Sequence, residues 1–410
     1  MSTLQITIEP ILEIKPHNNA DSLELITIKG WQVVVKKDIF RVGELVVFIP
    51  PDSILPKTLH EFLGITKYCA ELPKRYSTPK DIDLNEVMEE QCLYGNPPDL
   101  TLERPSARKV KAARLRGEAS YGTIMSLQSF KDYIYKQNQT SLGILNVPGL
   151  NVVSYLNIHK WEPPVKDTSG EQAKDHPCFH KYTDIENWRN YPGVFEDGEE
   201  IFVFSKINGT NSRLGYMPDE NQNLIHLAGS HNVNKKEFNN EGEPINDLYW
   251  QPYQWYPQIK DLQKELCGIS YNDGKVTYPI EQPVIVFGEI FGAGVQDMTY
   301  GLTKKDFRVF DISVGGKYVG WDLVKLLCKK FNIPTVIELY RGPYSKQIIE
   351  EHTSGSVVEC EPDKIIGKFK GREGIVFRPI YEQTNPIIGR KILKSVSVDY
   401  LERKNATDSH

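Results

Sequence analysis

The stretch IFVFSKINGTN, residues 201–211, is the most informative part of the chain. Its apolar first half is rich in β-branched and aromatic residues, which predicts a buried strand. Lys206 follows at the end of that strand, and Gly209 marks a turn. A lysine held there lies at the mouth of a pocket, where partial desolvation and neighbouring cations favour the neutral, nucleophilic amine. The glycine lets the backbone approach a phosphate, to which Thr210 and Asn211 can donate hydrogen bonds.

Four more segments follow this one in the second half of the chain. They are FGEIFG (287–292), FRVFDI (307–312), GREGIVFRP (371–379) and GRKILKS (389–395). Each segment also has an ordinary structural explanation, such as a strand-edge carboxylate for Glu289 or an ion pair between Glu373 and Arg372. Taken alone, the segment around Lys206 is more often an ordinary strand-end turn with a solvated lysine. The five segments in this order favour one shared site.

This order of motifs resembles the covalent nucleotidyltransferases, the superfamily of ATP-dependent RNA and DNA ligases and mRNA capping enzymes. It is most similar to the ATP-dependent RNA ligases, over about 180–400. A weaker similarity, over 41–56 and 114–117, is to the OB-type N-terminal module of one RNA-ligase branch. Sixteen residues follow Lys394, which leaves no room for the C-terminal OB domain of DNA ligases and capping enzymes. We therefore expect the RNA-ligase branch.

The resemblance implies how the nucleotide would be bound. Lys206 would attack the α-phosphate of ATP and become lysyl-AMP. Glu289 would hold the ribose hydroxyls, and Phe307 would stack on adenine. His231, in the segment GSHN (229–232), occupies a position where the family favours Arg, and Arg213 lies nearby in the sequence to compensate.

The resemblance also implies how charge would be balanced in the site. Glu373, Glu289 and Asn208 would be ligands of Mg²⁺ or Mn²⁺, with Asn208 standing where many family members have Asp. Lys394, with Lys391 as its companion, would contact the α-phosphate. Phosphoryl transfer depends mainly on positioning and charge neutralisation, so cations around the α-phosphate are expected. Mg²⁺ usually keeps several waters and takes one or two carboxylates.

Composition excludes several classes of protein. With 40% hydrophobic and 25% charged residues, the 410-residue chain reads as globular rather than disordered. We find no apolar run long enough for a transmembrane helix and no targeting signal, so a cytoplasmic protein that binds no membrane is expected. Six scattered cysteines argue against a disulfide scaffold, and a net charge of −5 argues against a basic coat over the whole surface.

We predict an α+β fold with two domains. Residues 1–160, with apolar runs at 31–35 and 45–49, would form an OB-like β-barrel that binds nucleic acid. Residues 181–410 would form an adenylyltransferase domain of antiparallel sheets and helices. The linker falls at 162–180. The second domain would have strands at 200–207, 284–291, 307–312 and 375–378, a helix at 321–331, and an insertion at 237–282.

A basic segment in the first domain is a candidate nucleic-acid contact. Its six basic residues, with no acidic residue among them, are Arg104, Arg108, Lys109, Lys111, Arg114 and Arg116. Such a patch would bind phosphates with an affinity that falls with salt. A solvated loop or a barrel strand with outward charges explains the segment equally well. His176, Cys178 and His180 lack a second ligand pair and make a poor zinc site.

The leading hypothesis is an ATP-dependent RNA ligase that seals 3′-OH and 5′-phosphate RNA ends, in nicked or paired RNA. No obligate protein partner is inferred. One alternative is a DNA ligase or capping nucleotidyltransferase with the same chemistry. The other is a catalytically impaired OB protein that only binds nucleic acid, motivated by the unusual residues at 205, 208 and 231.

Overall fold

The computed structural model describes residues 4–72, 107–137, 146–161, 171–268, 270–272, 275–277, 282–360 and 369–403. The chain divides into two compact units. The first unit comprises Met1–Val165, Glu186–Gly193 and Val398–His410, and the second comprises Lys166–Ile185 and Val194–Ser397. None of the helices in the described ranges has the length and apolar character that a bilayer crossing requires.

Short antiparallel strands build most of the first unit. They are β1 (Thr7–Pro10), β2 (Glu13–Pro16), β3 (Leu23–Ile28), β4 (Trp31–Lys36), β5 (Leu45–Ile49), β6 (Ser53–Leu55), β7 (Ala70–Glu71), β8 (Arg108–Lys109), β9 (Ala112–Leu115), β10 (Glu118–Tyr121), β11 (Thr123–Ser126), β12 (His159–Lys160) and β13 (Glu186–Asn187). The described helices of this unit are α1 (Lys57–Phe62), α2 (Leu127–Lys136), α3 (Val153–Leu156) and a last short helix, Val398–Leu401.

The core of the first unit lies under the sheet β1–β5–β11. Val47 and Ile49 of β5 are fully buried, as is Phe130 of α2, and all three belong to one apolar cluster. Ser126 caps α2 by accepting a hydrogen bond from the amide of Ser129, which fixes where the helix begins. The strands predicted at 31–35 and 45–49 are both present, as β4 and β5.

The first unit also contains segments that we assigned to the second domain. Trp31 donates a hydrogen bond from Nε1 to the side chain of Asn190, 2.8 Å away. Arg114 of β9 pairs with Asp399 at 2.7 Å. Residues 186–193 and 398–410 therefore lie with the first unit. These contacts join positions far apart in the sequence, and no local sequence pattern predicts them.

The second unit contains the remaining strands and four further described helices. The strands are β14 (Glu200–Lys206), β15 (Thr210–Pro218), β16 (Leu224–Ser230), β17 (Asn234–Lys235), β18 (Ser270–Asn272), β19 (Lys275–Thr277), β20 (Val284–Gly292), β21 (Lys305–Val314), β22 (Lys317–Tyr318), β23 (Glu338–Pro343), β24 (Gly374–Pro379), β25 (Thr384–Asn385), β26 (Gly389–Arg390) and β27 (Leu393–Val396). The helices are α4 (Gln251–Trp255), α5 (Gln258–Cys267), α6 (Trp321–Lys330) and α7 (Lys346–Thr353).

Two antiparallel sheets organise this unit. The strands that this unit contributes to sheet A are β27, β24, β14 and β23 in that spatial order, and sheet B contains β17, β16, β15, β20, β21 and β22. The predicted strands correspond to β14, β20, β21 and β24, and the predicted helix at 321–331 corresponds to α6. The insertion at 237–282 contributes α4, α5 and the hairpin β18–β19.

The predicted linker at 162–180 is only partly a connection. Residues 162–170 lie outside the described residues. The rest packs on the second unit, where the amide of Ala173 donates to the carbonyl of Asn234 and Phe179 is buried against Met217 and Phe287. The buried ring of Phe179 holds this segment on the second unit. The polar composition of the segment does not predict that contact.

Candidate active site

Lys206 and Glu373 form a buried ion pair on sheet A. Lys206 is the last residue of β14, and Glu373 directly precedes β24, the neighbouring strand. The lysine Nζ lies 2.6 Å from Oε1 of Glu373, with the two side chains 12% and 1% exposed. The amine is thus held inside the protein, within hydrogen-bond distance of a carboxylate. The structure therefore brings together two of the residues that the motifs single out.

Glu289 adds a second carboxyl group to this pair from sheet B. It lies in β20, an otherwise apolar strand. Burial raises the pKa of Glu289 to about 8. The ammonium of Lys206 opposes this rise in pKa, the carboxylate of Glu373 adds to it, and a hydrogen bond from the amide of Gly209 opposes it. Near neutral pH, Glu289 is therefore largely protonated, and the ion pair of Lys206 and Glu373 leaves the three groups with a net charge close to zero.

The turn after Lys206 carries the chain from sheet A to sheet B, since β14 belongs to the first and β15 to the second. Gly209 makes this crossing possible. A Cβ atom at this position would lie 2.2 Å from the carbonyl oxygen of Ile290 and 2.9 Å from Cγ of Glu289. The close approach of the backbone to β20 therefore requires glycine, and it places the turn directly against Glu289.

A loop after β20 holds the same turn from the other side. Gln296 donates from Nε2 to the carbonyl of Gly209, at 3.2 Å. The side-chain amide of Asn208 donates to Oδ1 of Asp297 at 2.9 Å, and its backbone amide donates to the hydroxyl of Tyr300 at 2.6 Å. Three residues of one loop thus fix the two residues at the centre of the turn.

Lys394 shares a face of sheet A with Lys206. Val376 in β24 pairs with Phe204 on one side and with Lys394 on the other. Directly opposed residues of neighbouring strands point to the same face, and Lys206 follows Phe204 by two residues. Lys394 is also buried, with 1% of its surface exposed. A second lysine therefore lies on the face that carries Lys206.

Asn211 contributes a further polar group beside Glu289. The two residues are directly opposed in β15 and β20, so they share a face of sheet B. The side-chain oxygen of Asn211 is buried and has no hydrogen-bond partner among the described residues. Buried polar atoms are normally hydrogen-bonded, so an exception beside Glu289 is suited to a ligand.

The sequence matches two family models. The model of the RNA ligase family matches residues 199–396, and a model of an OB-fold domain matches residues 5–72. We refer to residues 199–396, which match the RNA ligase model, as the ligase domain. The predicted recognition, an RNA ligase with an OB-type module at its front, is thereby confirmed, as is the predicted α+β fold class.

Solved structures of an RNA ligase from Naegleria gruberi resemble the whole chain. A lysine-to-alanine mutant with ATP and Mn has a TM-score of 0.64 at 22% identity, covering 97% of this chain and 98% of that one. A lysine-to-methionine mutant with AMP and Mn has a TM-score of 0.67 at 22% identity and the same coverage. The complex with PPi has a TM-score of 0.64 at 22% identity and covers 98% of each chain. No protein with a curated description matches the sequence.

Phe307 lies in β21, the strand beside the one that carries Glu289, but its ring is enclosed. It pairs with Ile290, one residue after Glu289, and is fully buried. The ring packs on Gly288, where a Cβ atom would lie 2.2 Å from Cζ of the phenylalanine. Gly288 therefore makes the room that the ring occupies. In the absence of nucleotide, Phe307 presents no surface on which a base could stack.

His231 and Arg213 have structural partners inside the ligase domain. Nε2 of His231 lies 3.2 Å from a carboxylate oxygen of Asp184. Burial, with a smaller contribution from the nearby guanidinium of Arg213, lowers the pKa of His231 to about 4. Arg213 donates to the carbonyls of Ser230 and Phe179 and to the side chain of Asn234, at 2.7, 2.7 and 2.9 Å. The expectation that Arg213 compensates for His231 at a phosphate is wrong, because its guanidinium is engaged by the fold.

Lys391 does not join the cluster. Its Nζ lies 2.7 Å from both carboxylate oxygens of Glu199 and 4.8 Å from the ring centre of Phe195. Glu199 directly precedes β14, whereas Lys206 ends that strand. At about 3.3 Å per residue, the length of β14 separates them by roughly 20 Å. The structure therefore corrects the prediction that Lys391 accompanies Lys394, and the reason is an ion pair with a distant glutamate.

The basic segment of the first unit is largely neutralised. Arg104 lies outside the described residues. Arg108 pairs with Glu71 at 3.3 Å, Lys109 with Asp52 at 3.1 Å, and Arg114 with Asp399 at 2.7 Å. The side chains of Lys109 and its partner are only 11% and 7% exposed, so this lysine serves the fold.

Two exposed cations remain from the segment. Lys111 and Arg116 lie at exposed positions, and Arg116 adopts a left-handed backbone with φ of 49°. Within the part of the chain that the structure describes, neither has a carboxylate partner. The prediction of one continuous patch is corrected to these two side chains, because the acidic partners of the others come from distant parts of the sequence.

Sequence reasoning missed the loop that holds the turn. Asp297, Gln296 and Tyr300 lie about ninety residues after Asn208, in a segment with no catalytic pattern of its own. A weak indication was available, because Gly292 and Gly294 follow the strand that carries Glu289 and both adopt positive φ angles, of 99° and 77°. Such glycines mark a tight return of the chain, but they do not show what the loop will contact.

Proposed function

We propose that this RNA ligase uses ATP to join RNA ends through a lysyl-AMP intermediate at Lys206. The observation that supports this most strongly is the buried lysine, 2.6 Å from Glu373 and electrostatically coupled to Glu289. A lysine that only served solubility would point into water. Perturbed titratable groups that converge from distant segments are typical of catalytic sites.

The first step transfers AMP to the protein. The neutral amine of Lys206 attacks the α-phosphorus of ATP, so a nitrogen–phosphorus bond forms while the bond to pyrophosphate breaks. The amine must first give up one proton to solvent and leave its ion pair with Glu373. Lys394, on the same face of sheet A, supports the negative charge that develops on the α-phosphate. The buried amide oxygen of Asn211 is available to accept a hydrogen bond from the nucleotide.

The acidic residues present fit a divalent cation that is held largely through water. The described residues contain no group of three His, Cys, Asp or Glu side chains arranged to hold a metal. Glu289 and Glu373 are electrostatically coupled instead, and Mg²⁺ typically takes one or two carboxylates and keeps several waters. Bound there, Mg²⁺ or Mn²⁺ would neutralise phosphate charge and compete with Lys206 for Glu373. Asn208 would be a ligand only through its side-chain oxygen, since its amide nitrogen donates to Asp297.

The later steps pass AMP to RNA and release it. An oxygen of the RNA 5′-phosphate attacks the phosphorus of lysyl-AMP, which frees Lys206 and leaves an adenylylated 5′ end. A 3′-hydroxyl then attacks that 5′-phosphate, a phosphodiester forms, and AMP departs. We propose nicks in paired RNA as the substrate, with Lys111 and Arg116 as contacts for backbone phosphate. Glu289 holds the ribose, and Phe307 stacks on adenine once nucleotide binding uncovers its ring.

The decisive experiment is covalent labelling. The protein is incubated with Mg²⁺ and α-labelled ATP or GTP and run on a denaturing gel. We expect label from ATP in the natural protein and none in Lys206→Ala. Label from GTP alone would indicate capping chemistry, and absence of label from both nucleotides would indicate a protein that only binds nucleic acid. A panel of nicked duplexes with RNA or DNA on each strand then identifies the substrate.

A further inference from the structure

The turn after Lys206 is contacted by a carboxylate, that of Asp297, which comes from the loop after β20. Position 208 carries an amide, which has no charge. Its nitrogen donates to Oδ1 of Asp297 at 2.9 Å, so the amide and the carboxylate form one hydrogen-bonded unit at the turn, two residues after Lys206. The loop that carries Asp297 is itself anchored, because Gln296 bonds to Gly209 and Tyr300 to the backbone of Asn208.

This arrangement fixes the position of the negative charge. Asn208 is buried, with 4% of its surface exposed, whereas Asp297 lies at an exposed position. The hydrogen bond between them orients the carboxylate toward the turn, which is two residues from the nucleophile. An exposed aspartate without such an anchor would contribute little directed charge, since solvent screens it and its rotamers are mobile.

We propose that Asp297 supplies the charge that position 208 lacks, acting on the divalent cation of the adenylylation site through water, with Asn208 as the residue that positions it. This inference rests on the proposed function, because it assigns a further group to the same metal-assisted step. It differs from a purely structural role, in which Asp297 would only hold the turn in place.

Exchanging the two side chains tests the proposal. Asp297→Asn removes the charge but keeps a partner for Asn208. Asn208→Asp places two carboxylates in hydrogen-bond contact, which like charges disfavour. The double variant Asn208→Asp/Asp297→Asn restores one carboxylate and one amide in reversed order. We expect each single variant to lower the rate of lysyl-AMP formation about tenfold, and the double variant to recover most of that loss.

Binding of Mn²⁺ provides a readout that does not need turnover. Mn²⁺ is titrated into the protein in the presence of α,β-methylene-ATP, a nucleotide that Lys206 cannot cleave. Unbound Mn²⁺ is measured by electron paramagnetic resonance. We expect Asp297→Asn to weaken Mn²⁺ binding about tenfold and the double variant to recover it. Tyr300→Phe is the matched control, because it removes another hydrogen bond to Asn208 without changing charge. It should slow adenylylation and leave Mn²⁺ binding unchanged.

The outcomes separate this inference from the proposed function. If Asp297→Asn binds Mn²⁺ as the natural protein does, or if the double variant is no better than the single variants, Asp297 has only a structural role and the proposal is overturned. If the natural protein forms no lysyl-AMP, the proposed function fails, but the Mn²⁺ titration still decides whether Asp297 acts on the cation. Thermal unfolding of each variant identifies any loss that is due to misfolding.

Discussion

Glu289 should make the stability of the ligand-free protein fall as the pH rises, and Glu289→Gln should remove that fall. An ordinary glutamate has a pKa of 4.5, and burial raises the pKa of Glu289 to about 8 in the folded protein. Between these two values the folded state holds a proton that the unfolded state has released. The free energy of unfolding must then decrease with rising pH across this window.

The magnitude follows from the size of the shift in pKa. Each pH unit inside the window lowers the free energy of unfolding by up to about 1.4 kcal/mol. Between pH 5.5 and 7.5 the contribution of Glu289 should therefore change by up to about 3 kcal/mol. Coupling to Lys206 and Glu373 reduces the change if the ion pair adjusts as Glu289 ionises. Glutamine has nearly the same shape and no charge, so the variant should be more stable than the natural protein at pH 7.5.

Urea denaturation at the two pH values measures this directly. The quantity of interest is the free energy of unfolding of Glu289→Gln minus that of the natural protein, because the contributions of all other groups cancel in the difference. Glu200→Gln makes the same chemical change at the exposed start of β14 and serves as control. A difference that stays constant within about 0.5 kcal/mol between the two pH values would refute the reasoning, since surface substitutions alone vary by that much.

Two further substitutions test the geometry of the site. Gly209→Ala would place a methyl group 2.2 Å from a backbone oxygen of β20. Lysyl-AMP formation should therefore fall more than about tenfold, and the melting temperature should drop by several degrees. A normal rate in a labelling assay would contradict the contact. Lys394→Met should abolish label transfer from ATP, whereas Lys391→Met should leave it intact. Loss of the ion pair with Glu199 should instead lower the free energy of unfolding of Lys391→Met by about 1 kcal/mol in a denaturation experiment. Equal loss of labelling in both variants would contradict the separation of the two lysines.

The sequence contains enough to predict the strands of the site but not the contacts between them. β14 has an apolar run over 201–204 that ends in Ser205 and Lys206, and β20 is apolar apart from Glu289, so both the strands and the exceptional residues are visible in the sequence. The pairing of Lys206 with Glu373 could be expected only from the resemblance to a family. Neither hydrophobic periodicity nor propensity relates residues 167 positions apart.

Errors arose where a charged residue had a partner that the sequence does not show. Lys391, Arg213 and Lys109 all fit a binding role by residue type and neighbourhood. In the structure, Glu199 and Asp52 bind the two lysines, and backbone carbonyls bind most of the arginine. A cationic side chain is available to a ligand only if no other group of the protein already binds it, and that depends on the tertiary structure. Asp297 is the opposite case, a residue with no motif that becomes relevant because of what it contacts.

The ion pair between Lys206 and Glu373 bears on how the proposed reaction would be controlled. A lysine paired with a carboxylate at 2.6 Å is held as an ammonium, which is the wrong state for the proposed attack on ATP. Displacing Glu373 toward a cation, with a triphosphate in place, would remove the partner that stabilises the ammonium. Activation of the amine would then depend on the arrival of both reactants. In the proposed reaction, the pair that keeps the lysine buried would also protect it from other electrophiles until ATP is bound. The ion pair would then contribute to the mechanism as well as to the stability of the fold.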